Sequence, residues 1–117
     1  MNPYKNVVAL TADLIFAARV RAAAQAENVS VILAKDVADF LTKISQLQPE
    51  LAILDLDRRG LDAADVVQRV KAQQVALLAY ASHVRVEAIE QARAAGADRV
   101  LARGAFAKQL NEILRAV

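Results

Sequence analysis

Residues 51–80, "LAILDLDRRGLDAADVVQRVKAQQVALLAY", decide the fold. The stretch opens on "LAILD" (51–55), a run too short for a helix and apolar up to its closing Asp55, as a strand buried on both faces requires. A basic, Gly-containing turn follows. The next segment, 62–72, reads as a helix with Val66, Val67 and Val70 on one face and Asp62 placed to cap its first turn. "VALLAY" (75–80) is then a second buried strand. Strand, helix and strand in so short a span make a crossover unit, which joins parallel strands.

The same alternation continues outward. Upstream, "NVVAL" (6–10) is a strand, 13–27 an Ala-rich helix and "VSVIL" (29–33) another strand. Residues 36–47 form a helix in which Val37, Phe40, Leu41, Ile44 and Leu47 recur at the 3.6-residue period, ended by Pro49. Downstream, 84–95 is a helix with Gly96 where a left-handed residue is wanted after its end. "DRVLA" (98–102) is the last strand, and a helix from about 105 to 116 carries the core stripe Phe106, Leu110, Ile113, Leu114 and Val117. The pattern predicts a single α/β domain over 1–117: a doubly wound, parallel five-stranded sheet of (βα)5 type, covered on both faces.

Composition narrows the function. A chain of 117 residues, 56% apolar and 24% charged, suits one globular core. Aromatics are only 4% and Ala is abundant, so helices should meet through small side chains. The absence of cysteine excludes disulfides, thiol nucleophiles and cysteine metal sites. A pI near 9.2 accompanies a net charge of only +2, without clustered basic residues and stacking aromatics, so no nucleic-acid partner is expected. No apolar run reaches the roughly 18 residues that span a bilayer. "MNPYKNVVAL" (1–10) has no secretory pattern, and a cytoplasmic protein without membrane contact is expected. With three glycines the chain has neither G-x-G-x-x-G nor a P-loop, and "TADL" (11–14) is no flavin phosphate loop.

In sheets of this kind ligands collect outside the carboxyl ends of the strands. Those ends carry Thr11, Ala12 and Asp13, then Asp55 to Asp57, then Ala81, Ser82 and His83, then Arg103 and Gly104. The order "VVALTAD … LAILDLD … LLAYASH … AGADRVLARGAF" resembles the receiver (CheY-like) domain of bacterial response regulators, over nearly the whole chain. The resemblance implies a flavodoxin-like fold with strand order 2-1-3-4-5 and, at Asp55, the phosphoacceptor of a two-component system served by a histidine kinase. Position by position, most of the family's site has changed. The two acids that hold Mg²⁺ after the first strand fall on Thr11 and Ala12, leaving Asp13 as the next acid. The hydroxyl residue after the fourth strand falls on Ala81, with Ser82 beside it. The lysine falls on Arg103, the following proline on Gly104, and the aromatic switch residue on Val100. Asp57 matches a position that offers its backbone carbonyl.

Charge sharpens the contrast. A complete receiver site sets three carboxylates against one lysine, and a divalent cation neutralises the surplus. Here Asp55 faces Arg103 with Asp13 close by, so the reason to bind Mg²⁺ is largely gone and neither metal nor cofactor is expected. Arginine's planar fork could also pair with Asp55 through two hydrogen bonds. The expected function is therefore that of a degenerate receiver, or pseudo-receiver. It would be a non-enzymatic, phosphorylation-independent interaction module in bacterial signal transduction, with a signalling protein or kinase as partner. The resemblance further implies that dimers and partners use the face of the fourth helix, fifth strand and fifth helix, which carries Arg85, Glu87, Gln91, Arg99 and Lys108 and could form a homodimer, or else the first helix. The alternative is a working receiver, phosphorylated on Asp55 with Mg²⁺, in which Asp13 and Asp57 supply acids and Ser82 the hydroxyl. Of the other residues, Asp13 reads as the cap of the first helix and Thr11 as a partner of loop amides. Arg58, Arg59 and the lone His83 read as solvated.

Overall fold

The computed structural model describes residues 5–117. The first four residues, within both the 1–117 domain span and the leader reading of "MNPYKNVVAL", lie outside the described residues. Strands and helices alternate: β1 (Asn6–Leu10), α1 (Leu14–Ala26), β2 (Ser30–Leu33), α2 (Val37–Leu47), β3 (Leu51–Asp55), α3 (Ala63–Ala72), β4 (Leu77–Ala81), α4 (Val86–Ala94), β5 (Arg99–Ala102) and α5 (Arg103–Arg115). The five strands pair in parallel in the order β2-β1-β3-β4-β5, with Val8 opposite Ala52, Ile53 opposite Leu78 and Ala79 opposite Val100. This is the flavodoxin-like arrangement. No helix among the described residues is long and apolar enough to cross a membrane.

Strands buried on both faces divide the core in two. On one side Val8, Leu54 and Ala79 meet Phe40 and Ile44 of α2, Val66, Val67 and Val70 of α3 and Ala92 of α4. On the other, Val7, Ile53 and Tyr80 meet Phe16 and Val20 of α1 and Phe106, Leu110 and Leu114 of α5. The stripe expected along α5 is core packing, with Val117 only partly buried at its end. Strand order reverses between β1 and β3, so their carboxyl ends flank the crevice where such sheets place a site.

Several elements differ from the sequence expectation at their ends; α4, for one, covers 86–94 rather than 84–95, because Ser82 to Arg85 form a turn. Strand β4 covers 77–81 rather than 75–80, because Gln74 turns the chain in a left-handed conformation (φ 60°) and Val75 buries its side chain from that turn. Apolar burial alone does not mark a strand's first residue. Helix α5 begins at Arg103, two residues early, and follows β5 with no loop. Arg103 and Gly104 are thus first-turn helical residues. Leu47, the last member of the α2 stripe, is exposed where Gln48 (φ 44°) ends the helix.

The glycines give a paired test. Gly96 sits at φ 109°, where an L residue is strained although a Cβ would make only ordinary contact with Lys71. Gly104 has ordinary backbone and open space around it. Gly96→Ala should lower stability by about 1–2 kcal/mol, and Gly104→Ala should raise it by roughly 0.5 kcal/mol, both read from urea denaturation.

Candidate functional site

Asp55 ends β3, and its side chain is the only buried charged one among the described residues. A carboxylate withdrawn from water must find donors. Oδ2 accepts the Ala12 N–H (2.9 Å) from the loop after β1, and Oδ1 accepts the Asp57 N–H (2.9 Å) from the turn after β3. A third bond to Oδ2 comes from Arg103 Nη2 at 3.3 Å.

Arg103 gathers the site. Its Nη1 donates to Asp13 (3.1 Å), while Nη2 donates to Asp57 (2.9 Å) as well as to Asp55. The guanidinium carbon lies 4.5 Å from the centre of the Phe16 ring and 5.8 Å from that of Tyr80, within cation–π range. Tyr80 in turn stacks on Phe106 at 4.1 Å between ring centres. The cation is therefore held between carboxylates and rings. Burial opposes its charge, but bonds to Asp13 and Asp57 and the charge of Asp55 outweigh burial and raise its pKa.

The surrounding residues tie the loops together. Asp13 caps α1 by accepting the Phe16 N–H (2.8 Å), as expected. That amide above all holds its carboxyl below the ordinary value; desolvation opposes the shift, and Arg103 adds to it. Asp57 accepts the Ser82 N–H on both oxygens (2.9 and 3.1 Å) and lies 3.5 Å from Arg85 Nε. The Tyr80 hydroxyl is fully buried beside Asp55, without a partner in hydrogen-bonding geometry. Burial, then the Asp55 charge, push its pKa far above the usual phenol value.

Asp13, Asp55, Asp57 and Arg103 thus converge, with Ala12 adjoining through its amide. Several expectations need correction. The arginine fork does not close on Asp55 alone; it divides between three acids, because Asp13 and Asp57 flank it on either side. Asp57 enters through its carboxylate as well as its carbonyl, so the local balance is three carboxylates against Arg103 and Arg85. Ser82 contributes its amide to Asp57, and Ala81 is buried in β4. Thr11 donates its hydroxyl to the Asp13 carbonyl (3.2 Å) instead of accepting from loop amides. Arg58 is not merely solvated: it donates to the carbonyls of Thr11 (3.1 Å) and Lys35 (2.8 Å), bracing two loops. His83 and Arg59 are exposed. Sequence reasoning missed Tyr80 and the Phe16 ring. The signal available was the scarcity of aromatics, since three of the chain's five lie beside this site.

No protein-family model and no curated protein matches the chain at the level of sequence. Solved structures do. A response-regulator receiver domain from Bermanella marisrubri aligns with a TM-score of 0.83 at 24% identity, covering 97% of both chains. The chemotaxis response regulator CheY4 of Vibrio cholerae aligns at 0.80 and 19% identity, covering 97% of this chain and 98% of its own. A CheY-like receiver domain protein from Methanospirillum hungatei JF-1 aligns at 0.83 and 16%, covering 97% and 92%. The chain has the fold of response-regulator receiver domains.

Acid should loosen this protein in a defined window. Asp13 is held below its ordinary value of 3.8 by the Phe16 amide and Arg103. Asp98 is held low too: burial opposes the shift, but Lys71 and the Leu77 amide outweigh it. A depressed folded-state pKa contributes stability that is present above the unfolded value and lost as pH falls through the folded one. Melting temperature should be flat above about pH 5 and fall below about pH 4. Asp13→Ala should flatten part of that fall and cost about 1 kcal/mol at neutral pH through loss of the cap.

Proposed function

We propose that this chain is a receiver-type signalling module whose phosphorylation pocket is closed by its own arginine, acting through protein partners without catalysis. The observation that carries this reading is the simultaneous bonding of Arg103 to Asp13, Asp55 and Asp57. Phosphoryl transfer to Asp55 needs a carboxylate oxygen open to in-line approach. Both Asp55 oxygens accept protein hydrogen bonds, and the residue is fully buried.

Arg103 stands where Mg²⁺ would have to sit. That ion asks for hard oxygens in near-octahedral array, whereas the space between these three carboxylates holds a guanidinium. Among the described residues no group of three or more His, Cys, Asp or Glu is arranged to hold a metal. Ala81 has no hydroxyl to follow a phosphoryl group, and Val100 has no ring to reorient. The partner is a signalling protein or kinase, and the α4–β5–α5 face is the proposed route to a homodimer. A second reading, phosphorylation of Asp55 after Arg103 swings away, has one observation in its favour: Asp13 and Asp57 bring carboxylates to the same place.

Incubation with Mg²⁺ and beryllofluoride, or a small phosphodonor, separates the two. The closed-pocket reading expects unchanged intact mass and no Mg²⁺-dependent amide shifts at Ala12, Asp55 or Ser82. A stoichiometric adduct that disappears in Asp55→Asn would overturn it.

A further inference from the structure

Asp57 belongs to the turn after β3, yet its carboxylate is bonded to two other parts of the chain. The Ser82 N–H, in the β4–α4 connection, donates to both oxygens at 2.9 and 3.1 Å. Arg85, which precedes α4, brings Nε to 3.5 Å and donates Nη2 to the Asp57 carbonyl at 3.3 Å. From α5, Arg103 Nη2 reaches the same carboxylate at 2.9 Å.

The segment so held has few other restraints. Ser82 to Arg85 form a turn closed by the Arg85 N–H on the Ser82 carbonyl (3.0 Å). Helix α4 starts at Val86 with no side-chain cap, unlike α1, α2 and α3, each of which is capped by an aspartate. It is the shortest helix, and Ala92 is its one buried residue. Val84 and Val86 are 72% and 57% exposed, so apolar burial does little to fix this corner.

We propose that Asp57 is a latch. Its carboxylate draws the β4–α4 connection and the first turn of α4 against the turn after β3, and release lets them loosen together. Arg85 is half exposed (50%) and Arg103 less so (29%), so the Arg85 side of the latch is the more open to solvent and salt. The inference rests on these bonds and not on the closed-pocket reading: an adduct on Asp55 would defeat that reading, while the latch is tested in unmodified protein.

Amide hydrogen exchange followed by NMR in wild type, Asp57→Asn and Asp57→Ala provides the test. The amides of Ser82, Arg85 and Ile89 are the reporters, the last two donating to Ser82 and Arg85 carbonyls. The corresponding amides Phe40 and Val66, at the capped starts of α2 and α3, are the controls. Asp57→Ala should speed all three reporters by about tenfold, with a smaller effect for Asp57→Asn and under about twofold at the controls. In wild type, raising salt to about 1 M should loosen the reporters before the controls. Unchanged protection at Arg85 and Ile89 in Asp57→Ala would overturn the latch, even with Ser82 faster. Should that variant unfold, the salt series on wild type decides: reporters and controls loosening together would equally overturn it.

Discussion

A buried carboxylate at the end of the central strand is the constraint around which this molecule is arranged. Asp55 is fully buried, and an ionised group there is tolerable only with donors on its oxygens and a countercharge within reach. Two loop amides and Arg103 meet that need. Each donor then constrains its own segment. The Ala12 amide sets the loop after β1, the Asp57 amide sets the turn after β3, and Arg103 requires α5 to begin directly after β5. Pairs of this kind add little net stability compared with an apolar core, but breaking one leaves a costly orphan charge. Their effect is on arrangement more than on stability.

The guanidinium's two faces explain why arginine differs from lysine at this position. One edge divides its donors between Asp13, Asp55 and Asp57, while the flat face lies over Phe16. A lysine ammonium is a compact, strongly hydrated charge and could not span three acids while also covering a ring. The arrangement places a fixed cation where a receiver of the usual composition would gather acids around a metal. The proposed loss of phosphorylation chemistry and the cohesion of the loops follow from the same side chain.

Much of the fold was legible because both faces of each central strand are buried. "VVAL" (7–10), "LAIL" (51–54) and the core of "VALLAY" are continuous apolar runs, and the helices between them repeat at 3.6 residues. The aspartate caps of α1 and α3 were legible as well, being local. Errors fell where a residue's environment depends on a turn: Val75 is buried without being in a strand, and α5 takes in Arg103 because no loop separates it from β5. At the site, fold position alone gathered Asp13, Asp55 and Arg103. The sequence offered no means of telling where the Asp57 carboxylate points, or that the Arg58 and Arg85 side chains brace loops rather than lie free in solvent.

The sequence by itself determined the alternation of strands and helices, the doubly wound class and the identity of the charged residues at the carboxyl ends of the strands. Those properties rest on local periodicity and on which residue types tolerate burial. Only the tertiary structure decided which charges meet. Hydrogen-bond partners 43 to 90 residues apart, such as Ala12 with Asp55 and Asp13 with Arg103, are set by sheet register and turn geometry. A shift of a few ångströms in either would exchange a bonded carboxylate for a solvated one, and no one-dimensional pattern records that distance.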